Sequence, residues 1–542
     1  MTRFHVTPLL NTLSWLLVAC TANAQANPDA GSLQQQIERE RQTTLPQRVT
    51  PGAPVAPRHM APASGVSVTV KAFRFTGNTQ LSSEQLAAIL VPYLDRALDF
   101  AQLQTTATVV ADRYRAAGWV VNAYLPEQDI KNGVVTIRIV EAVFGGAVIE
   151  GTTARMSAKQ LQQGVQAQQE LGKPLNADAL DRALLLADDL PGVAVSGALR
   201  AGLREGETEL VYKVADEPLV VGDVRADNTG ARSTGASRLS ANVWINSPMG
   251  QGDQMAVNAA FSEGSRYGRL AYTLPAGHDG WRVGINASYL SYDLLGADGK
   301  GTSQILGLEA RYPLVRARLQ NLYLSLNADD KKIDNQFNGT TSTQYGMNVA
   351  SVGLNGNSFD ELAGGGANNV SLAWTGGHRN NQVGTTTGSF SKLRYSVSRQ
   401  QTITPLLSLF VGLDGQESRD ALDTSEAFYL GGAYGVRAYP TNEGRGSSGD
   451  LSKLELRWRM DDSVVLTGFY DHGRVRNRDA TPSYSLKGSG VAVAWQVSND
   501  LSLTATLARR VGDNPNPNQT TGKDQDGSLT KNRVWLSATL TY

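Results

Sequence analysis

The sequence predicts a membrane β-barrel of about sixteen antiparallel strands, preceded by two small α/β modules and an N-terminal helix. Three observations predict it. Across 219–542, segments of about ten residues alternate apolar and polar side chains, the period of a strand with one face in lipid. Residues 66–215 carry one order of strand-like and helix-like segments twice over. Beyond the extreme N-terminus no long apolar run occurs, so a bilayer is crossed as strands or not at all.

Composition agrees with an exported chain. Its 542 residues include 55 Gly but one Cys and five His, few for a cytosolic enzyme of that length. The 50 Lys+Arg balance 50 Asp+Glu, which excludes a global nucleic-acid-binding field. Arg3 and His5 precede an apolar stretch at 8–19, and Ala22-Asn23-Ala24 is a small-x-small cleavage site. Residues 1–24 therefore read as a secretory signal peptide, whose cleavage removes Cys20. Leu17-Val18-Ala19-Cys20 offers a second reading, a lipoprotein box in which Cys20 becomes the lipidated first residue.

Within 25–45, residues 29–43 predict a polar helix. Asp29 or Ser32 can cap it, and Gln34, Gln35, Gln36, Glu38 and Arg39 are good helix formers. Leu33 and Ile37 are its apolar pair, a stripe too thin for an ordinary core. The helix is either a solvated tail or the occupant of a polar, water-filled lumen. The stretch 46–65, with Pro46, Pro51, Pro54, Pro57 and Pro62, reads as an extended linker.

The first module, 66–142, shows a strand around Val68, Val70, Phe73 and Phe75, helical spacing at 82–94 and 103–117, then strands at 119–125 and 134–140. The second, 143–216, repeats the order with a strand at 147–149, helices at 157–169 and 177–190, a break at Pro191-Gly192, and strands at 193–199 and 208–214. The barrel follows at 217–542. Leu454, Leu456, Trp458 and Met460 oppose Lys453, Glu455, Arg457 and Arg459; Val534, Leu536, Ala538, Leu540 and Tyr542 oppose Arg533, Trp535, Ser537, Thr539 and Thr541. A closed barrel leaves no unpaired edge in lipid, so an even strand number is expected.

No catalytic, cofactor or metal constellation appears. His59, His278, His378 and His472 are isolated, and Asp329-Asp330 and Asp461-Asp462 read as turn residues between strands. One charged pair stands out. Gly431-Gly432-Ala433-Tyr434-Gly435-Val436-Arg437-Ala438-Tyr439-Pro440 lies in the longest gap between strands, near 419–449, and is too apolar for a solvated loop. Phe469-Tyr470-Asp471-His472-Gly473 ends a strand, with Asp471 on its polar face. An Arg folded into a lumen needs a carboxylate partner, since an isolated buried charge is costly; a surface loop is the other reading.

Val436-Arg437-Ala438-Tyr439 and Phe469-Tyr470-Asp471-His472-Gly473 resemble the paired motifs of two-partner secretion transporters, the haemolysin and filamentous-haemagglutinin secretion/activation proteins. Phe73-Arg74-Phe75-Thr76-Gly77-Asn78, Tyr114, Gly118-Trp119 and Gly133-Val134-Val135 resemble that family's first polypeptide-transport-associated (POTRA) domain. Leu190-Pro191-Gly192-Val193 and the Gly202 to Gly206 turn resemble its second. Asp227-Asn228-Thr229-Gly230 and Asn246-Ser247-Pro248-Met249-Gly250-Gln251-Gly252-Asp253 resemble its first strand end and first periplasmic turn.

The resemblance implies that Arg437 pairs with Asp471 inside the barrel, with Phe469 and Gly473 completing the strand motif, and that the helix holding Leu33 and Ile37 is a lumen plug. Ala438 departs from the family, which prefers Gly there. The implied function is passage of a secreted exoprotein with an N-terminal secretion domain through a monomeric outer-membrane barrel in contact with lipid, without cofactor, nucleic acid or catalysis. The class of exported protein stays open. A barrel-assembly insertase of the same superfamily is the alternative, disfavoured by two modules and a plug helix.

Overall fold

The computed structural model describes residues 29–41, 67–204, 206–383, 387–477, 483–518 and 520–542. The signal-peptide reading of 1–24 and the Pro-rich stretch 46–65 lie outside them.

A helix, α1 (Ala30–Arg41), comes first. The first module then runs β1 (Ser67–Val70), β2 (Ala72–Thr76), α2 (Ser83–Leu90), β3 (Arg96–Asp99), α3 (Phe100–Ala116), β4 (Val121–Tyr124) and β5 (Val134–Glu141). Two capping boxes fix its helices: Ser82 with Gln85 at α2, Asp99 with Gln102 at α3. α2 is shorter than the spacing predicts, because Pro92 turns the chain into the single turn Val91–Tyr93. The expected first strand is two. β1 pairs with β3, a four-residue strand too short to show a period, while β2 runs parallel to β5 in a sheet ordered β2-β5-β4.

Leu86, Leu90, Val110, Tyr114 and Ile137 are fully buried in the first module's core. The Tyr114 hydroxyl donates to Glu141 at 2.9 Å, and the Thr79 and Gln80 amides donate to the same carboxylate at 2.7 and 2.9 Å. Burial alone would raise the Glu141 pKa, but these bonds hold it below the usual carboxylate range.

The second module is β6 (Val143–Glu150), α4 (Ala158–Gln168), α5 (Ala177–Asp188), β7 (Val193–Ala201) and β8 (Glu207–Asp216), in a sheet ordered β6-β8-β7. β6 begins four residues earlier than alternation suggests, since Gly145 and Gly146 interrupt it. The modules are stitched directly: Val120 N donates to the Leu175 carbonyl at 3.1 Å and Ala177 N to that of Gly118 at 2.7 Å.

Sixteen antiparallel strands, from Val220–Asp227 to Asn532–Thr541, close into a barrel. First and last strands meet from Ser537 opposite Asp227 to Thr541 opposite Asp223. The alternation sorts faces as expected: Leu306 and Leu308 point outward at 64 % and 61 % exposure, while their neighbours Ser303 and Gly307 turn inward and are buried. An outward apolar belt and polar interior is the state a bilayer selects, because no water is there to satisfy exposed polar groups.

Strand length departs from the reading of about ten residues. Gly299–Arg316, Gln320–Phe337 and Gly366–Val383 each span 18 residues, and Thr340–Asp360 spans 21. These strands make one wall tall. Asp329 and Asp330 are therefore not in a turn: they lie inside Gln320–Phe337, opposite Gly307 and Leu306. Asp330 and Lys332 are exposed outward, beyond the apolar stretch Leu322, Leu324 and Leu326. Asp461 does cap a turn, accepting from the Ser463 and Val464 amides at 2.7 and 2.8 Å.

The second module is fastened to the barrel mouth. Asp189 accepts two hydrogen bonds from Arg316, at 2.8 and 2.7 Å, and Asp181 accepts two from Arg318 at 2.7 Å. Ser247 donates to the Arg155 carbonyl at 2.5 Å. Gly252 lies so near the module that a Cβ there would sit 2.6 Å from Met156 Cε. This contact defines a near end of the barrel; the segment 418–447 emerges at the far end.

Candidate functional site

The lumen is filled by two segments that meet inside it. The first is 418–447, which folds inward as a hairpin with Phe428–Tyr429 paired to Arg445–Gly446. Its glycines permit the fold: a Cβ on Gly435 would lie 1.8 Å from the Leu430 carbonyl oxygen, and one on Gly431 2.1 Å from that of Pro440. At its tip the Arg437 side chain grips Asp471 with two bonds, Nε to Oδ2 at 2.8 Å and Nη2 to Oδ1 at 2.6 Å, and the Arg437 amide adds a third at 3.1 Å. The Asp471 side chain has no exposed surface. Glu455 lies 2.9 Å from the same guanidinium and is also paired with Arg457, so two cations face two carboxylates. The guanidinium stacks on Phe469, 3.5 Å from the ring centroid.

The neighbours complete the seat. Val436, Ala438 and Tyr439 are buried with Leu430, Leu451, Val475 and Leu486. Ala438 is free of strain, because its φ is not among the positive ones, and Gly488 opposite leaves room for its methyl. Gly473 is required by packing: a Cβ there would be 2.5 Å from Leu430 Cδ2 and 3.2 Å from Val436 Cγ2. The Trp535 indole donates to the Arg437 carbonyl at 2.8 Å, and Arg510, ion-paired to Asp524, stacks on Tyr439.

The second segment is α1, which lies across the lumen. Ala30 N donates to Asn335 Oδ1 at 3.0 Å, and Glu40 meets Arg238 at 2.5 Å. Both partners sit near far-end strand termini, so the helix crosses the far half of the barrel. Leu33 is buried and Ile37 half-buried against Tyr267, Leu290, Tyr292, Ile333, Tyr345 and Met347. The thin stripe thus finds an apolar cradle shared by the tall wall and the strands Ser265–Pro275 and Arg282–Asp293, while Gln34 donates to Ser288 at 2.7 Å. Helix and loop also touch: Gln35 donates to the Ala427 carbonyl at 3.0 Å, Arg39 to that of Tyr429 at 3.1 Å, and Asp29 accepts from Thr424.

The residues named from the sequence for the lumen site lie in this assembly, in two groups: Val436, Arg437, Ala438, Tyr439, Phe469, Asp471 and Gly473 at the loop tip, Leu33 and Ile37 in the cradle. Sequence reasoning missed Glu455, Trp535, Arg510 and the far-wall clamp of Glu426. Glu426 has Lys331 at 2.6 Å and Lys392 at 2.7 Å. An inward Lys on each of two strands was the available signal, but nothing local names the carboxylate.

A family model of haemolysin secretion/activation proteins of the ShlB/FhaC/HecB type matches residues 206–495, and one of the ShlB-type POTRA domain matches 68–142. The heme/hemopexin transporter protein HuxB of Haemophilus influenzae is 24 % identical over 556 residues, covering 96 % of both chains. The outer membrane transporter CdiB of Dickeya dadantii is 25 % identical over 459 residues, covering 79 % of this chain and 80 % of its own. The solved structure of CdiB from Escherichia coli shares the fold with a TM-score of 0.73 at 22 % identity, over 94 % of this chain and 98 % of that one.

Proposed function

We propose the following working cycle for this chain, which belongs to the haemolysin secretion/activation protein family and is an outer-membrane transporter of two-partner secretion. The barrel spans the outer membrane, the two modules face the periplasm, and the far end opens to the cell exterior. The cargo is a secreted exoprotein that carries an N-terminal secretion domain. It reaches the modules unfolded, and their sheet edges and amphipathic grooves hold it as an extended segment. α1 leaves the lumen, the cargo threads the polar interior, and folding outside gives the passage its direction. The Arg437–Asp471 pair keeps the loop tip in its transport-competent pose.

The observation that carries this reading is the Arg437 clamp: a bidentate pair on a side chain with no exposed surface, at the tip of a loop turned into the lumen. A buried pair of this kind adds little net stability over apolar packing, so its use lies in fixing one conformation. The barrel works as a monomer embedded in outer-membrane lipid, and residues 1–24 are the leader removed on export.

The test compares secreted and outer-membrane proteins of native cells with and without this chain. Loss of one large secreted protein with other barrels unchanged supports a dedicated exporter and identifies its cargo. An unchanged set of secreted proteins with many barrels depleted contradicts it and favours an insertase.

A further inference from the structure

The lumen loop makes ion pairs to the wall at two places, and among the described residues only one of them hydrogen-bonds the plug. The tip, 436–439, is clamped to the strand Val464–Arg476 and makes no hydrogen bond to α1 among those of the described residues. The shoulder, 423–429, carries Thr424, which donates to Asp29 just before α1, Ala427 and Tyr429, whose carbonyls accept from α1, and Ser425, against which Gly31 packs so closely that a Cβ would lie 2.7 Å from the serine Cβ. Glu426 sits in the middle of this stretch, buried at 3 % exposure. Its carboxylate bridges Lys331 on Gln320–Phe337 and Lys392 on Gly388–Thr404. Among the described residues neither lysine has another carboxylate within ion-pair distance. Lys392 and Gln416 also donate to the Glu426 carbonyl, at 2.8 and 3.0 Å.

We propose that Glu426, held between Lys331 and Lys392, is the positioning residue that presents the loop shoulder to the plug helix and thereby sets how readily the plug leaves. The clamp fixes the carbonyls of Ala427 and Tyr429 where Gln35 and Arg39 meet them. Without the carboxylate, two largely buried ammonium groups are left facing each other's field, and the shoulder moves away from the wall. α1 then loses its loop contacts and keeps the cradle and its wall bonds at Asn335, Ser288 and Arg238. The tip clamp, on the other side of the hairpin, stays intact.

The inference rests on the plug-exit reading above, and the test separates the two. Ser32 is buried at 2 % exposure in α1, so a Ser32→Cys chain, with Cys20 replaced by Ala, reacts with an impermeant maleimide only when the helix is out. Labelling is followed in isolated outer membranes from cells with and without the secreted partner, with insertion checked by heat-modifiable gel mobility. Glu426→Gln is expected to raise the labelling rate about tenfold, a typical coupling between two sites. Glu426→Asp, which keeps the charge but shortens the reach, is expected to give a smaller rise and covers the case in which Gln blocks insertion. Arg437→Ala is expected to change the rate by less than about twofold. Labelling that ignores both Glu426 variants, or that rises equally in Arg437→Ala, overturns the clamp while plug exit stands. No labelling in any membrane, partner present or absent, overturns both.

Discussion

The tip and the shoulder of the lumen loop are built from the same materials and face different neighbours. At the tip, Arg437 projects from the loop into a carboxylate fixed on the wall; at the shoulder, Glu426 projects from the loop between two wall lysines. The tip is also surrounded by apolar side chains and braced by Arg510, which donates to the Ala438 carbonyl at 3.2 Å and pairs with Asp524. The shoulder is surrounded by the plug helix. Charge holds the loop to the wall in both places, and only the neighbours differ: an apolar cluster at the tip, a helix at the shoulder.

Asp471→Ala is expected to disturb the tip most. It leaves Arg437 buried with Glu455 as its remaining carboxylate, and losing one partner of a buried pair costs about 3–5 kcal/mol. The tip should detach and become cleavable by protease added to whole cells, while the barrel keeps its folded gel mobility. Gly473→Ala is gentler. Its methyl meets Leu430, which is fully buried and has little room to yield, so about 1–3 kcal/mol is expected, read as partial protease sensitivity and reduced export.

A smaller effect sharpens the comparison through pH. Glu443 has no exposed surface; burial pushes its carboxyl up to about 7, against hydrogen bonds from Asn514 and Gln525, with Asp524 adding to the rise and Arg510 opposing it. The folded loop therefore binds this proton more tightly than the unfolded loop does. Its contribution is fully present below the ordinary Glu value of about 4.3 and is lost as pH rises through 7. Channel opening of the purified protein in planar bilayers should be more frequent at pH 8 than at pH 6, and Glu443→Gln should flatten the difference. An unchanged slope in that variant would assign the pH response to another group.

What was legible in the sequence follows from the range of each signal. Strand alternation repeats every two residues, so Leu454 to Met460 and Val534 to Tyr542 declared their faces locally. The tall wall did not, because above the bilayer the outward side chains turn polar, as at Asp330 and Lys332, and the pattern of a lipid-facing strand stops there. Two adjacent aspartates then look like a turn. β3 was hidden by its length, and its pairing with β1 is a tertiary fact. Arg437 and Asp471, 34 residues apart, were joined by family resemblance rather than by spacing. Glu426 and Lys331 are separated by 95 residues, and no local period reports such a contact.

On the proposed cycle, the Arg437 clamp serves export rather than the barrel's own folding. The most direct measurement is the amount of partner protein released by cells carrying Arg437→Ala, set beside the amount of folded barrel in their outer membranes. Partner release is expected to fall by about tenfold or more, equivalent to about 1.4 kcal/mol, with barrel insertion unchanged. Normal release from normally inserted Arg437→Ala barrels would contradict it.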